Sequence, residues 1–318
     1  MIVEEIKRRA EVVNEEIKKL LPIKEPEKLY NAARHLINAG GKRLRPVLSL
    51  IACEAIERDY RKILPAAVAI EVIHNFTLIH DDIMDEDEFR RGVKTVHTVY
   101  GIPTAILAGD TLFAEAFKIM SLCDVESENL VRGMRKLAEV CVEICEGQQM
   151  DIEFEEREFV SEGEYLEMVR KKTSVLIAFS SSLPAVLFGE RKYEGALWNY
   201  GIYAGIAFQI KDDILDLLGK DKIGKDWGSD LVEGKKTLIV INAFEKGVEL
   251  ESFGKGKAEV ETIERDVKRL IDCGAIEYAE KRALEFLNKA KSELKVLKDN
   301  EGRKMLEDLA EFFVMREY

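Results

Sequence analysis

The sequence predicts one all-α domain spanning residues 1–318, and three observations predict it. There are six prolines in 318 residues, so few positions are barred from a helix interior. Apolar residues recur at the helical period over most of the chain. No segment shows the period-two alternation and regular turn spacing of a sheet. No internal repeat, low-complexity tract or long linker divides the chain.

In chain order, the helical pattern covers 3–20, 26–38, 43–57, 63–88, 104–122, 126–148, 162–188, 193–218, 235–247, 257–271, 275–295 and 300–315. The first segment opens with MIVEEIKRRAEVV, in which charged and apolar residues interleave, unlike a signal peptide. Pro65 and Pro103 fall near helix starts, where a missing N–H is harmless. Pro184 falls inside an apolar pattern and predicts a kink or break there. Segments 63–88 and 193–218 each carry an acidic cluster near their ends. Beyond about residue 240 the helices are amphipathic, carry no motif and are expected to complete a bundle.

Composition narrows the function. Hydrophobic residues make up 47% of the chain, enough for a large core. The net charge of -12 argues against nucleic acid, whose binding is dominated by phosphate neutralisation on a basic face. An acidic chain can still bind a diphosphate where metal ions or a local cluster of Lys and Arg reverse the field. The five cysteines are odd in number in a long chain, which argues against a disulfide scaffold. Cys141 and Cys145 lie one turn apart, but no His or further Cys stands nearby at ligand spacing, so they read as small apolar residues on a helix face. No run approaches the roughly eighteen apolar residues of a membrane span, and the expected location is cytoplasmic.

Three loop-like segments place cations beside glycines, where backbone can approach an anion closely. They are Gly40-Gly41-Lys42-Arg43-Leu44-Arg45-Pro46, Phe89-Arg90-Arg91-Gly92, and Gly224-Lys225-Asp226-Trp227-Gly228-Ser229-Asp230 with the following Gly234-Lys235-Lys236-Thr237. Two clusters share the DDxxD form: Asp81-Asp82-Ile83-Met84-Asp85 and Asp212-Asp213-Ile214-Leu215-Asp216. On a helix, the first and last Asp of each share one face a turn apart and repel one another. One acidic run in a chain this rich in Asp and Glu is ordinarily a solvated helix end. Two of identical form, each following an apolar helix, point to a compensating cation. All-oxygen ligands favour a hard ion such as magnesium, which takes one or two carboxylates and shares substrate phosphates. His74 lies nearly two turns before Asp81 on the same face, and Gln209 broadly shares the face of Asp212. Gly201 and Gly205, four apart, permit close approach of another helix or of a ligand.

Together these residues resemble the trans-isoprenyl diphosphate synthases, the family of farnesyl and geranylgeranyl diphosphate synthases. The matching segments are GGKRLRP at 40–46, DDIMDEDEFRRG at 81–92, GQ at 147–148, KKT at 171–173, FQIKDDILD at 208–216 and IGKDWGSDLVEGKKT at 223–237. The resemblance implies antiparallel helices around a deep central cavity, a homodimer, and a magnesium-dependent reaction in which isopentenyl diphosphate lengthens an allylic diphosphate. By motif it makes Asp81, Asp85 and Asp212 magnesium ligands supported by Asp82 and Asp216. It makes Arg90, Lys172, Lys225 and Lys235 contacts to the allylic diphosphate, and Lys42, Arg45, His74 and Arg91 the isopentenyl diphosphate site. Thr173 and Gln209 would lie near the developing allylic cation.

The resemblance also ties product length to residues just before the first cluster. Phe76 with the small Thr77, and no insertion in the motif, resemble the archaeal type of geranylgeranyl diphosphate synthase, with farnesyl or longer products as the alternative. At ideal geometry Thr77 lies near the face of Asp81 and Phe76 points away, so the role of Phe76 rests on resemblance alone. A class I terpene cyclase would carry an Asn/Ser/Glu metal motif where this chain has DDILD, and would not need GGKRLRP. A non-catalytic subunit of a heteromeric prenyltransferase would usually lack one or both clusters, and both are intact here.

Overall fold

The computed structural model describes residues 2–219 and 227–315. In chain order the helices are α1 Ile2–Leu20, α2 Glu27–Asn38, α3 Leu44–Ala55, α4 Leu64–Met84, α5 Val96–Tyr100, α6 Ile102–Met120, α7 Ser127–Glu156, α8 Glu162–Val169, α9 Val175–Leu187, α10 Arg191–Leu218, α11 Ser229–Glu233, α12 Leu238–Glu245, α13 Val260–Asp272, α14 Ala275–Glu293 and α15 Glu301–Met315. The expected all-α class is observed. Among the described residues the only strands are β1 Phe89–Arg90 and β2 Val93–Lys94. The chain divides into two compact units, each made of several segments.

The first unit comprises Met1–Leu137, Ser180–Gly195 and Leu297–Leu306. Its central element is α4, which is apolar on nearly every side from Ala66 to Ile73 and packs against α1, α2, α3 and α6. A helix hydrophobic all round must be buried. Tyr60–Met84 is apolar enough over eighteen residues to pass for a membrane span by composition, against the expectation above. It is instead a core helix, with 61% of that window buried inside the protein. Gly109 of α6 lets α4 come close, because a Cβ there would stand 2.6 Å from Cδ2 of His80.

The helix expected over 63–88 stops at Met84, and a hairpin follows. Arg91 (φ 54°) and Gly92 (φ 75°) join β1 to β2 as a two-residue turn. Positive φ at both positions matches the right-handed twist of paired strands, and glycine accepts it without strain. The sequence carried too short an alternation there to register as a sheet.

Of the kink or break predicted at Pro184, a break is not found, since α9 runs through it. Proline removes the N–H that would reach the carbonyl of Ser180, four residues back. That carbonyl accepts the Ser49 hydroxyl of α3 at 2.6 Å instead, in a fully buried bond. A side chain 131 positions away thus satisfies the group the proline leaves bare.

The second unit comprises Ala138–Phe179, Ala196–Val296 and Glu307–Tyr318. The helix expected over 162–188 runs on through Arg170–Ser174, which form one π-helical turn between α8 and α9. Ser161 and Glu164 cap the start of α8 reciprocally. Two glycines admit the wide turn. A Cβ on Gly147 of α7 would lie 2.7 Å from Cα of Lys172, and one on Gly205 of α10 would lie 2.7 Å from Cα of Ser174. The turn is also tied to α7 through Arg170 to Glu143 (2.6 Å), Lys171 to Glu146 (2.7 Å) and Lys172 to Asp151 (2.5 Å). The segment expected as a helix from 235 begins only at Leu238, where Thr237 caps it by accepting the N–H of Val240. Segment 126–148 extends to Glu156 as α7, because its polar tail keeps helical backbone after the apolar period fades.

Candidate active site

In the first unit, the loop before α3 is held from inside. Arg43 adopts the left-handed backbone conformation (φ 50°) and buries its guanidinium. It donates to Glu71 Oε1 at 2.8 Å, Asn14 Oδ1 at 2.9 Å and the carbonyls of Ile37 and Gly40. Asn75 donates to the same Glu71 oxygen at 3.1 Å. Arg43 stands in the basic segment legible in the sequence, whereas nothing local marks Glu71. With Arg43 tied down, its neighbours Lys42 and Arg45 are carried by a fixed loop.

Arg45 Nη1 lies 3.2 Å from Nε2 of His74. A guanidinium only donates, so His74 Nε2 accepts and its proton sits on Nδ1. Burial lowers the His74 pKa well below its ordinary value, and the nearby charges of Arg45, Arg91, Arg90 and Arg43 lower it further. The imidazole is therefore neutral and orients Arg45. Arg91 donates to the carbonyls of Leu36 (3.2 Å) and Gly40 (2.7 Å), and its guanidinium lies against Gly41, where a Cβ would stand 3.2 Å from Arg91 Cζ. The structure thus brings Arg45, His74 and Arg91 together beside the Gly40–Arg43 loop that bears Lys42. Burial, with Arg43 and Arg90 nearby, lowers the pKa of Arg91. This local density of cations on an acidic chain suits an anion.

We expect Glu71→Gln to lower unfolding free energy by about 3 kcal/mol, because breaking a buried pair strands the partner's charge. Urea unfolding of the variant checks this, and an unchanged midpoint and slope would show that Arg43 finds another partner.

The first acidic cluster is split by the structure. The Asp85 N–H still bonds the Asp81 carbonyl at 2.8 Å, so helical register holds and the two residues stand one turn apart. Asp81 is half-buried and Asp85 exposed, whereas Asp82 is fully buried and ion-paired to Arg90. Arg90 also pairs with Asp87 at 2.8 Å. Asp82 is thus placed to hold Arg90, rather than standing open beside Asp81 and Asp85. Phe76 packs edge-on to Phe113 of α6 (5.4 Å between centroids), and Phe113 packs on Phe117 in turn. The Thr77 hydroxyl bonds back to the His74 carbonyl at 2.9 Å.

In the second unit, the π turn sets the geometry. Lys172 Nζ meets Asp151 at 2.5 Å, and Lys235 Nζ meets Glu155 at 2.6 Å and Asp151 at 4.0 Å. Two predicted diphosphate contacts, 63 residues apart in sequence, therefore converge on one pair of α7 carboxylates. The next residue, Thr173, donates its hydroxyl to Gln209 Oε1 at 3.0 Å. Gln209 Nε2 donates to Asp213 Oδ1 at 2.9 Å, and Tyr165 Oη donates to Asp213 Oδ2 at 2.6 Å. Burial pushes Asp213 up to about 7, against the bonds from Tyr165 and Gln209, which lower it. Burial and the neighbouring Asp213 hold Tyr165 far above the ordinary phenol value, so it remains a donor. Asp216 accepts from the Ser229 hydroxyl (3.1 Å) and the Asp230 N–H (3.3 Å) at the start of α11.

A profile of the Polyprenyl synthetase family matches residues 26–270 of this chain. A "Geranylgeranyl pyrophosphate synthase" of Geoglobus acetivorans is 64% identical, with all of both chains covered. The chain belongs to the polyprenyl synthetase family. A "Geranylgeranyl diphosphate synthase" of Methanosarcina mazei is 49% identical to this polyprenyl synthetase over 100% of this chain and 98% of the other. A solved geranylgeranyl pyrophosphate synthetase structure from Geoglobus acetivorans superposes with a TM-score of 0.94 at 62% identity, covering 98% of this chain and 99% of that one.

Among the described residues of this polyprenyl synthetase, no three His, Cys, Asp or Glu side chains form a ready-made metal cage. Each acidic cluster nevertheless offers oxygen donors alone. Magnesium fits that donor set, since it completes its shell with water and substrate phosphate. Asp81, Asp85 and Asp212 are the residues that would hold it. Lys225 lies outside the described residues. Sequence reasoning missed Glu71, Asp151, Glu155 and Tyr165 as parts of the site. Each acts on a partner far away in sequence, and no local pattern marks it. Gly147 and Gln209 did stand in recognisable motifs, and the structure supplies their reasons.

Proposed function

We propose that this polyprenyl synthetase condenses isopentenyl diphosphate with dimethylallyl, geranyl and farnesyl diphosphates and releases all-trans geranylgeranyl diphosphate. The observation that carries the reading is the π turn. It carries the Lys172 ammonium next in sequence to the Thr173 hydroxyl, which is hydrogen-bonded to Gln209, and this supports reading Lys172 as a diphosphate contact. An allylic diphosphate has the same order: a polyanionic leaving group next to the carbon that becomes positive.

Lys172, Lys235, Lys225 and Arg90 bind the allylic diphosphate and neutralise it as the C–O bond breaks, a preorganised electrostatic effect. Lys172 and Lys235 exchange their carboxylate partners for phosphate oxygens. Magnesium, when bound, adds Lewis-acid stabilisation of the leaving diphosphate. Thr173 and Gln209 stabilise the allylic cation with their oxygens. Lys42, Arg45, His74 and Arg91 hold isopentenyl diphosphate, whose double bond attacks the cation. The adduct then loses a proton to the departing diphosphate. No nucleophilic side chain is required. Exclusion of water protects the cation.

Under the same reading, residues 1–318 act as one catalytic domain, working as a homodimer in the cytoplasm. Asp82 and Asp216 support the magnesium ligands, Asp82 by fixing Arg90. Phe76, packed on Phe113, sets product length together with Thr77. Farnesyl or longer products are the alternative within the same reaction.

The test uses purified protein, labelled isopentenyl diphosphate and each allylic primer, with magnesium present or chelated, and sizes the dephosphorylated products. We expect magnesium-dependent products ending at twenty carbons. A stop at fifteen or beyond twenty would reject the length assignment, and no condensation by folded protein would reject catalysis by this chain alone. Phe76→Ala is expected to shift the products to longer chains in the same assay. Unchanged lengths would remove Phe76 from that role.

A further inference from the structure

We infer that Tyr165 is a positioning residue for prenyl transfer, fixing through Asp213 and Gln209 the direction in which the Thr173 hydroxyl points. This deepens the assignment of Thr173 and Gln209 to the allylic cation and rests on it.

Four side chains on three elements form one directed series of hydrogen bonds. Tyr165 of α8 donates to Asp213 of α10, Gln209 of α10 donates to the other Asp213 oxygen, and Thr173 of the π turn donates to Gln209. Chemistry fixes the direction. In the structure Asp213 accepts through both oxygens, and the amide turns its nitrogen towards Asp213 and its oxygen towards Thr173. An amide oxygen only accepts. Thr173 therefore commits its one hydroxyl proton to Gln209 and turns its lone pairs elsewhere.

That orientation matters for a positive carbon. A hydroxyl that presents lone pairs stabilises the developing charge, whereas one that presents its proton opposes it. A flipped Gln209 would donate to Thr173 and release the hydroxyl proton to point the wrong way. Tyr165 prevents this from the far end. It is 1% exposed and Asp213 is 5% exposed, so solvent does not take over its place. Without the phenol, Asp213 Oδ2 is a buried oxygen lacking its donor and free to swing away from Gln209.

The experiment is a double-mutant cycle of Tyr165→Phe and Thr173→Val, with kcat and both KM values measured by the condensation assay. Interacting residues give non-additive effects. We expect Tyr165→Phe to lower kcat about tenfold, the effect of roughly one hydrogen bond, with both KM values nearly unchanged. In the Thr173→Val background the same change should have no further effect. An equal loss in both backgrounds, or full kcat in Tyr165→Phe, would overturn the relay while leaving Thr173 at the cation. Full kcat in Thr173→Val would overturn the assignment of Thr173 and the relay with it. If Tyr165→Phe does not fold, Asp213→Asn carries the same cycle, because its amide can donate to Gln209 and turn it round. A loss erased by Thr173→Val again supports the relay, and an additive loss again rejects it.

Discussion

Asp81→Asn should lower kcat by about 10²–10³-fold, the range seen when one preorganised group is removed from a developing charge. The substitution keeps the shape of the side chain and removes its negative charge. Asp81 is half-buried near the end of a helix whose register holds through Asp85, so the fold should survive. The loss should fall on the cation-forming step if, as proposed, the carboxylate holds magnesium against the leaving diphosphate. Steady-state turnover with magnesium titrated to saturation, alongside a thermal melt, makes the measurement. A variant that regains full kcat at high magnesium would show that Asp81 contributes metal affinity alone, and undiminished kcat throughout would remove it from the site. Relieving the repulsion between Asp81 and Asp85 should, if anything, raise the melting temperature of metal-free protein.

Gly147→Ala should reduce turnover about 100-fold without touching a charged group, as expected when reacting groups are displaced by about an ångström. The added methyl would lie 2.7 Å from Cα of Lys172 and 2.8 Å from the carbonyl carbon of Lys171. Both neighbours are backbone, which cannot swing aside as a flexible side chain can. Either α7 or the π turn must move, at a cost of about 1–3 kcal/mol for overpacking. Under the proposed function, movement of the turn carries Lys172 away from the diphosphate and Thr173 away from the cation. Gly163 supplies the control, since a Cβ there meets nothing within 4 Å and its φ lies outside the positive region. Gly163→Ala should keep full activity and gain up to about 1 kcal/mol from helix propensity. Chemical unfolding and kcat for both variants decide the matter. Normal turnover in Gly147→Ala would show that the π turn tolerates displacement.

The elements that were legible in the sequence are those whose reason is local. Helical periodicity is carried by residues three and four apart, so the class and most helices could be read directly. The acidic clusters are legible for the same reason: Asp81 with Asp85, and Asp212 with Asp216, repel at one turn's spacing. Gly40-Gly41-Lys42 and Arg91-Gly92 announce loops through backbone freedom and charge.

What the tertiary structure alone decided has its cause at long range. Pro184 reads as a kink or break because it cannot donate to the carbonyl of Ser180, and the packing of α3 brings the Ser49 hydroxyl to that carbonyl. The π turn at 170–174 is absent from any local pattern, since Gly147, Gly205 and the α7 carboxylates that admit and anchor it come from other helices. Within one DDxxD, periodicity turns Asp82 off the face shared by Asp81 and Asp85 but does not say what that side chain meets. The hairpin that returns Arg90 to Asp82 supplies the partner. Arg43 and Lys42 are equally basic on the page, yet Glu71, 28 residues on, buries one and leaves the other exposed. Tyr165 reads as an ordinary core aromatic until Asp213 is seen to need its proton. By itself the sequence determined which charges this polyprenyl synthetase carries and on which helices. Pairing between distant segments decided which of them are buried as supports and which are presented, because a buried charge requires a partner and only the folded chain supplies one.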